Sequence, residues 1–492
     1  MKGRCAMLSV TGKEINFKMV ERQFYELGCE IAKSMMKEFI EGIDKKLAQN
    51  RDKRKLRHKG KRIRTLKTLM GEVEIDRTIY QRINDKGQKE HIYLLDQELG
   101  FETIGTISPN LVEKILDQIC EMPYREVSNC ITELTNQRIS HQGVWNLVQQ
   151  VGRKQTEKER KLINDYKNNK LTGEKEVKIL FEEADGVYLS MQGKSRGKRK
   201  GKKELKIGIS YEGWIKRYPG SREYKTIEKI AYAGYLTPSK FSDLREAYIN
   251  KKYNTDEIEY RILNGDGASW IENGFNSENS VFQLDSYHLS QSIVKAVRNK
   301  KVRIEIYKWL KQGEFEKIQE KLEALKYECG GLVSEIEKIS RLQTYLRTQE
   351  KGLINYKNRE DIKIPEPPQG MEYRNLGTME STVNAFSSRM KGRKSWSENG
   401  ATNLAKIIAL KLSGDFQTKI NGLISSKLSE RLQERFEEQI INTRDYLKKP
   451  KKSNIYPTHK GSIPFITSSR TNGREAIKNM FNYKNFTELT YR

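Results

Sequence analysis

The chain has 492 residues, with 92 Lys or Arg against 65 Asp or Glu, so its formal net charge is +27 at neutral pH. Hydrophobic residues make up 36% of the chain, mean hydropathy is −0.79, and no apolar run approaches the roughly 18 residues of a membrane helix, which excludes a membrane-spanning protein. Such a surplus of positive charge predicts a polyanionic partner, and for a chain of this length nucleic acid is favoured over a membrane surface.

The cysteines and histidines exclude several kinds of site. The five cysteines include no C-x-x-C pair, so neither a disulfide framework nor a zinc ribbon is expected. The N-terminus lacks the apolar stretch of a signal peptide, and the predicted location is a reducing cytoplasm. No histidine is followed by Arg at the third position or forms an H-x-H pair, and no G-x-S-x-G elbow accompanies one. Tyrosine recombinase, paired-histidine nicking and serine hydrolase sites are therefore excluded, and any enzymatic chemistry is expected to use carboxylates.

The first predicted elements are a long helix and a basic segment. Apolar residues recur at helix-like steps over 14–50, which predicts a helix used for packing or dimerisation. The densely cationic run 51–68 then precedes an alternating strand pattern at 71–80. This run is predicted to contact the DNA backbone, and such contacts position a protein without reading sequence. The alternative interpretation is that the run is only a solvated face. Three arginines are the predicted backbone contacts: Arg57, Arg62 and Arg64.

Residues 108–152 have the pattern of a helix-turn-helix. Ser108 and Pro109 open one helix, Tyr124 begins the next, and Ser140 caps a third after a polar turn. An ordinary small helical bundle fits the same pattern, and the residues alone do not decide between the two. The side chains that a helix-turn-helix would present to a major groove are His141, Gln142, Trp145, Asn146 and Gln149.

Residues 177–285 change to strand patterns in the order β-β-β-α-β-β-α. Because short turns join the first three strands, they are predicted to be antiparallel, whereas a strand reached through a helix is usually parallel. A charged helical stretch follows at 296–362, apolar periodicity returns at 371–412, and the chain turns basic and irregular after residue 440. The strand patterns lie at 177–185, 204–211, 230–235, 260–266 and 281–285, with a cationic hairpin tip at 194–203.

Three carboxylates stand at the ends of apolar segments. Asp185 and Asp266 each follow a strand pattern and precede a glycine, and Glu380 opens a helix. Acids that share a cleft in a basic DNA-binding protein repel the substrate unless cations lie between them. Two Mg²⁺ ions about 3.5–4 Å apart are therefore predicted, with Mn²⁺ as a substitute. Each acid also has a plainer interpretation, because Asp-Gly is a common turn dipeptide and a first-turn Glu favours the helix dipole.

Two further groups surround these acids. Glu183 lies on the same strand face as Asp185 and is a competing ligand for its role. Basic and aromatic residues after Glu380 are predicted to hold phosphates and stack on a base, although a solvated helix end with a buried tryptophan is the alternative. These residues are Arg389, Lys391, Arg393 and Trp396.

Four blocks of sequence carry a resemblance to a known family. The blocks are EADGVYLSMQ (183–192), ILNGDGASWI (262–271), FQLDSYHLSQ (282–291) and YRNLGTMESTVNAFSSRMKGRKSWSENGA (373–401). Together they resemble bacterial insertion-sequence transposases of the ISLre type, which are DDE transposases akin to the Mutator-like group. The resemblance implies catalytic and metal-binding roles for Asp185, Asp266 and Glu380. It also implies an accessory pair, Asp285 and His288, and from the residues alone His288 fits a structural role equally well.

The predicted fold class is α+β and multidomain. It combines N-terminal helical and helix-turn-helix DNA-binding modules with an RNase H-like mixed-sheet catalytic core, which the resemblance implies, interrupted by an all-helical insertion. The predicted divisions are a helical N-terminal region (1–50), a basic β segment (51–95), a helix-turn-helix region (96–155), the first part of the core (156–295), the helical insertion (296–370), the second part of the core with Glu380 (371–425) and a basic tail (426–492).

The predicted function is that of a DNA transposase, which cleaves the ends of an insertion sequence and joins them to target DNA by two-metal phosphoryl transfer. The predicted partners are double-stranded DNA, as terminal repeats and target, and further copies of the chain, since two ends must be brought together. Two alternatives remain open: a catalytically retired, transposase-derived DNA-binding regulator, and an RNase H-like nuclease without strand transfer.

Overall fold

The computed structural model describes residues 16–85, 87–100, 106–193, 201–274, 277, 279–330, 332–424, 433, 436 and 437. The chain divides into two compact units, residues 1–426 and 427–492, and nearly all described residues belong to the first. The predicted basic tail and residues 194–200 of the predicted hairpin tip lie outside the described residues, apart from the three isolated tail positions. Within the described part of the chain, no helix combines the length and the apolar character needed to cross a bilayer.

The N-terminal part consists of a long helix packed on a small antiparallel sheet. Its elements are α1 (Phe17–Asn50), β1 (Arg57–Thr68), β2 (Gly71–Ile83), β3 (Lys89–Ile92) and α2 (Leu94–Leu99). The buried carboxylate of Asp44 fastens α1 to the sheet, because its Oδ2 accepts hydrogen bonds from the Thr78 backbone N–H (3.1 Å) and hydroxyl (2.6 Å). The basic run itself forms β1, an edge strand paired with β2 in the order β1-β2-β3.

Three helices follow, and two of them begin at the predicted caps. They are α3 (Pro109–Ile119), α4 (Tyr124–Leu134) and α5 (His141–Lys167). The hydroxyl of Ser108 accepts from the Leu111 N–H (3.3 Å) and that of Ser140 from the Gly143 N–H (3.1 Å), as the sequence predicts. The third helix runs well beyond residue 152, the end of the predicted segment, and this extension buries Gln155 and Glu159.

A five-stranded mixed sheet forms the centre of the protein. The elements of this region are β4 (Ile179–Ser190), β5 (Lys202–Tyr211), β6 (Gly213–Lys216), β7 (Tyr224–Ile227), β8 (Ile230–Gly234), α6 (Pro238–Lys252), β9 (Tyr260–Gly265), α7 (Ser269–Gly274), β10 (Ser280–Leu284) and α8 (Ser286–Ala296). The strand order is β10-β9-β4-β5-β8, with β6 and β7 forming a separate two-stranded sheet. Strands β4, β5 and β8 pair antiparallel, whereas β9 and β10 run parallel to β4, as the order of strands and helices along the sequence predicts.

One strand boundary differs from the prediction. The pattern ends the first strand at Asp185, but β4 continues to Ser190. The reason is pairing, since Asp185 lies opposite Ile207 and the ladder to β5 continues as far as Ser190 opposite Lys202. Asp185-Gly186 is therefore not a turn. Asp185 lies where the parallel pairing with β9 ends, because the last paired residues are Glu183 and Asn264.

The remaining described elements are helical. They are α9 (Lys300–Gln312), α10 (Phe315–Glu328), α11 (Val333–Thr348), α12 (Thr378–Met390), α13 (Glu398–Leu412) and α14 (Phe416–Ile424). Together with the end of α8, helices α9 to α11 enclose an apolar cluster of their own that includes Ile306, Leu322 and Leu342. Helices α12 and α13 instead contribute residues such as Phe386 and Leu404 to the main core, which also contains Phe181 of β4.

Candidate functional site

Two of the three predicted acids lie side by side. Asp185 stands on the central strand β4, and Asp266 directly follows the neighbouring parallel strand β9. Because Glu183 pairs with Asn264, extending that register by two residues sets Asp185 opposite Asp266. The two carboxylates interact electrostatically where the carboxyl end of β9 lies beside the middle of β4.

The electrostatics of this edge reflect the closeness of the two acids. Burial raises the pKa of Asp266, and the negative charges of Asp185 and Glu204 raise it further. A hydrogen bond from the Ala268 N–H to Asp266 Oδ1 (2.9 Å) and the charge of His288 oppose this rise. The site therefore accumulates negative charge that a cation would stabilise.

The accessory pair lies at the same edge. Asp285 caps α8, since its Oδ1 accepts from the N–H groups of Tyr287 (2.9 Å) and His288 (3.0 Å). This cap fixes the start of the helix and places His288 Nε2 3.7 Å from Asp185 Oδ2. The interaction with Asp185 raises the pKa of His288, burial opposes the rise, and the charges of Asp285 and Asp266 add to it.

Glu183 has a different role from the one the sequence suggested. Its buried carboxylate accepts hydrogen bonds from the hydroxyl of Tyr211 (2.6 Å) and the amide of Asn264 (2.9 Å). It also accepts from the backbone N–H groups of residues 377, 378 and 379, at 3.1, 2.9 and 3.2 Å. Burial raises the pKa of Glu183, and these hydrogen bonds oppose the rise. Because both oxygens are engaged, Glu183 holds the N-terminus of α12 against β4 instead of facing the Asp185 cleft as a free ligand.

Glu380 lies in the first turn of the helix that Glu183 anchors, and its side chain is exposed. Among the residues that the structure describes, no three acidic, histidine or cysteine side chains form a group that could hold a metal ion. Glu380 is thus attached through its helix to the strand that bears Asp185, but it does not complete a three-residue cluster with the two aspartates.

The donor set at the aspartate pair suits a divalent cation. Mg²⁺ commonly binds proteins through only one or two carboxylates and keeps several of its waters, so a closed protein cage is not required. Asp185 and Asp266 provide two neighbouring carboxylates; burial and the charge of Asp185 raise the pKa of Asp266, and the interaction with Asp185 raises the pKa of His288. These residues fit Mg²⁺ or Mn²⁺ as oxygen ligands.

Replacing Glu183 by Gln is expected to loosen the start of α12. The amide retains one acceptor oxygen, so at least one of the buried N–H groups at residues 377–379 loses its partner, at a cost of about 1–3 kcal/mol. Hydrogen exchange of the peptide covering residues 377–380 measures this directly, and its rate is expected to rise. Glu380→Gln is the matched control in the same turn, because its exposed side chain is not part of the anchor. Unchanged exchange in Glu183→Gln would contradict the anchoring role.

The predicted DNA-contacting residues divide into exposed and enclosed groups. Exposed side chains are those of Arg57, Arg62, His141, Gln142, Asn146, Lys391 and Arg393. The structure corrects the prediction for residues whose side chains are enclosed. Arg64 pairs with the buried Asp96 (Nη1 to Oδ2, 2.6 Å). Arg389 is buried, donates to the Ile119 carbonyl (2.6 Å) and lies against the rings of Tyr124 and Trp396.

Trp396 and Gln149 are enclosed for similar reasons. The indole N–H of Trp396 donates to the Met390 carbonyl (2.8 Å), and the ring is packed in the main core, so it does not offer a face to a base. The carboxamide oxygen of Gln149 accepts from Asn403 of α13 (2.7 Å), which places it inside the protein and not in a groove-facing row. The alternative of a buried tryptophan is the one that the structure supports.

Several residues at the site are absent from the sequence prediction. Asn264 bridges the two buried carboxylates, donating to Glu183 and to Asp285 Oδ2 at 2.9 Å each. Tyr345 of the helical stretch donates to the backbone carbonyl of Asp266 (2.9 Å). Asn264 stands two residues before Asp266 within the ILNGDG block, so strand alternation sets it on the same face as Asp266. Nothing in the sequence near Tyr345 points to its contact with the Asp266 carbonyl.

Comparison with known proteins places the chain in a family. A model of the uncharacterised protein family UPF0236 matches residues 10–422. The chain belongs to the UPF0236 family. Three UPF0236 proteins of Caldanaerobacter subterraneus subsp. tengcongensis are each 25% identical to it over 407 to 409 residues. The matches cover 81–82% of this chain and 75–79% of those relatives.

Similarity to a solved structure is weak. A crystal structure of a pre-cleavage Mos1 transpososome matches with a TM-score of 0.12, 11% sequence identity, and coverage of 50% of this chain and 79% of that one. At this score the similarity supports no statement about fold or function. UPF0236 membership likewise names a family and not an activity.

Proposed function

We propose that this UPF0236 protein is a DNA transposase that cleaves the ends of an insertion sequence and joins them to target DNA by metal-dependent phosphoryl transfer. The observation that carries the proposal is the placement of Asp185 on β4 next to Asp266 at the end of the adjacent parallel strand β9, beside a helix whose first turn bears Glu380. Acids from three separate stretches of chain are thereby attached to one edge of one sheet.

The sheet supports this proposal. Three antiparallel strands followed by two parallel ones, in the order β10-β9-β4-β5-β8, match the RNase H-like core that the resemblance to ISLre-type transposases implies. The helices α9 to α11 stand between the second acid and Glu380, where that resemblance expects an all-helical insertion. The acids, the strand order and the insertion are independent features that agree.

The residues of the site have distinct tasks in this reaction. Asp185 and Asp266 would hold Mg²⁺, with Glu380 as the third carboxylate. Bound Mg²⁺ would supply charge neutralisation at the scissile phosphate and activation of the attacking oxygen. Glu183 positions the helix that carries Glu380, and Asp285 positions the helix that carries His288. His288 is placed to donate a hydrogen bond to Asp185 or to a phosphate oxygen.

The names of the relatives are consistent with a mobile element. One of the UPF0236 proteins is named by four gene designations of a single genome, and another by eleven. A protein shared by many genes of one genome is what a DNA segment that copies or moves itself leaves behind. This favours a transposase over a retired regulator, which has no reason to be present in many copies.

DNA would be held by exposed basic and polar surfaces of the N-terminal part. The edge strand β1 exposes Arg57 and Arg62, and the start of α5 exposes His141, Gln142 and Asn146 after a polar turn. In this proposal β1 contacts phosphates and α3 to α5 act as the helix-turn-helix. The partners are double-stranded DNA of the terminal repeats and of the target, and a second copy of the chain.

Removing the two exposed arginines is expected to weaken DNA binding in a salt-dependent way. Each arginine that neutralises a phosphate adds roughly one to the slope of log affinity against log salt, so Arg57→Ala with Arg62→Ala should lower that slope by roughly two. Fluorescence anisotropy at several salt concentrations measures the slope. Arg64→Ala is the control, because its guanidinium pairs with Asp96 inside the protein. A slope that falls equally in the control would contradict the assignment.

A strand-transfer assay separates the proposed function from its alternatives. The purified protein is incubated with Mg²⁺, a DNA carrying the element ends and a supercoiled target plasmid, and joined products are scored alongside nicks. Wild type is expected to give joined products, and Asp185→Ala, Asp266→Ala and Glu380→Ala to give none. Nicks without joined products would indicate the nuclease. If wild type and the variants bind DNA equally and wild type cleaves nothing, the regulator would be indicated.

A further inference from the structure

The long helix α1 has two apolar faces, and the described part of the protein covers one of them. Its C-terminal half packs on the small sheet through Ile40 and Ile43, and Cys29 on the same side is also buried. On the other side, Phe17 is 81% exposed, Phe24 70% and Ile31 54%. At 100° per residue the two faces are separated by roughly 150°, so they are distinct surfaces of one helix.

The spacing of the exposed face is that of a coiled-coil seam. Phe17, Val20, Phe24, Leu27 and Ile31 follow one another at steps of three, four, three and four residues. This 3.5-residue period favours supercoiling with another helix of the same period over packing on a flat surface. Ser34 and Glu38 occupy the next two seam positions, so the seam ends where the helix begins to pack on its own sheet.

The charges around the seam favour a second copy of this helix over a nucleic acid. Residues 17–37 contain four Lys or Arg and three Glu, a net charge of +1, in a chain whose net charge is +27. In a parallel, in-register pair, the charged flanking residues Glu21, Glu30 and Lys37 each face an uncharged residue of the other copy. Self-association over residues 17–35 therefore brings no like charges together across the seam.

The area is sufficient for a specific dimer. Covering the exposed parts of Phe17 and Phe24 in both copies removes on the order of 600 Å² from water. Val20, Leu27, Ile31 and Met35 of both copies bring the total to about 1,200 Å², the lower end of the range for specific interfaces. The N-terminus of the helix is also capped, because the Asn16 side chain accepts from the Met19 N–H (3.0 Å).

We infer that the N-terminal half of α1 is a dimerisation surface, on which residues 17–35 pair with the same residues of a second copy. The dimer forms without DNA. It would supply the proposed transposase with the means to hold two element ends, but the pairing itself does not depend on that chemistry.

Sedimentation equilibrium of the full-length chain tests this inference. Wild type is expected at twice the chain mass of 57.4 kDa. Phe24→Glu and Leu27→Glu each place a buried charge in the seam and are expected to raise the dimer dissociation constant at least about 100-fold. Lys18→Gln is the matched control, because it makes the same change in charge on the opposite side of the helix and should leave the dimer unchanged. Circular dichroism should show equal helix content in all variants, since Phe24 is exposed in the single chain.

Two results would overturn the inference. One is a wild-type protein that stays monomeric up to its solubility limit, as expected if another segment of the same chain covers the seam. The other is a Phe24→Glu variant that still sediments as a dimer, which would place the interface elsewhere. Asp185→Asn should sediment as wild type, so failure of the dimer and failure of the proposed chemistry are seen in separate measurements.

Discussion

Asp185→Asn and Asp266→Asn are each expected to reduce DNA cleavage and joining by at least about 10³-fold. Asparagine keeps the shape of the side chain and removes the charge that would hold a divalent cation. The two aspartates are neighbours on β4 and at the end of β9, so losing either one leaves half of the pair. Rates of single-turnover cleavage on a labelled element end give the comparison.

DNA affinity is the control for this prediction. The aspartates add negative charge to a surface that receives phosphates, so their neutralisation should leave binding unchanged or slightly tighter. A variant that loses cleavage and affinity together would point to a folding defect. Cleavage at the wild-type rate in either variant would contradict the role of the pair.

Glu182→Gln is expected to destabilise the protein by about 3–5 kcal/mol. Glu182 lies on β4, and its side chain is fully buried. It accepts hydrogen bonds from Arg245 (2.7 Å) and Arg261 (2.7 Å), whose side chains are also buried. Burial alone would raise the pKa of Glu182, but the two guanidinium groups outweigh it and lower the pKa to about 2. Without the carboxylate, the two buried guanidinium groups lose the acid that both of them bond, while Glu246 still pairs with each.

The same network predicts how stability depends on pH. Because the pKa of Glu182 is lower in the folded protein than its ordinary value of 4.5, its contribution is fully present above pH 4.5 and is lost as the pH falls towards 2. Urea unfolding of wild type and Glu182→Gln measures both effects, and the difference between them should shrink in acid. Glu337→Gln is the control, since its pair with Arg341 is exposed and worth at most about 0.5 kcal/mol. Equal stability of Glu182→Gln and wild type at neutral pH would contradict the prediction.

Local patterns in the sequence predict most of the elements that carry the site. Alternation and helical periodicity locate β5, β8, β9, β10 and α6, and the serine caps locate the starts of α3 and α5. They fail where tertiary pairing overrides a local signal. Asp185-Gly186 has the composition of a turn, yet the ladder to β5 carries β4 straight through it. The basic run has little apolar alternation, yet pairing with β2 makes it a strand.

At the candidate site, too, long-range contacts decide what local sequence patterns cannot predict. Spacing sets Glu183 on the face of Asp185, but it cannot show that residues 377–379 return to occupy its oxygens. Arg389 and Trp396 have the composition of a nucleic-acid surface. Only the tertiary contacts show that Arg389 is enclosed by Ile119 and Tyr124, and that Trp396 is bonded to Met390 within the core. Long-range packing of this kind leaves no periodic trace in the sequence. Sequence patterns can therefore propose which residues belong to the site, but they do not reveal what each of those residues touches.

The most direct test of the account is the position of a bound metal. Crystals of the protein with DNA and Mn²⁺, measured at a wavelength where Mn²⁺ scatters anomalously, are expected to show an anomalous peak within ligand distance of both Asp185 and Asp266, with Glu380 turned towards it. The peak should disappear in Asp266→Asn. Mn²⁺ bound elsewhere, with the two aspartates left unligated beside the DNA, would contradict the proposal that this pair is the centre of the reaction.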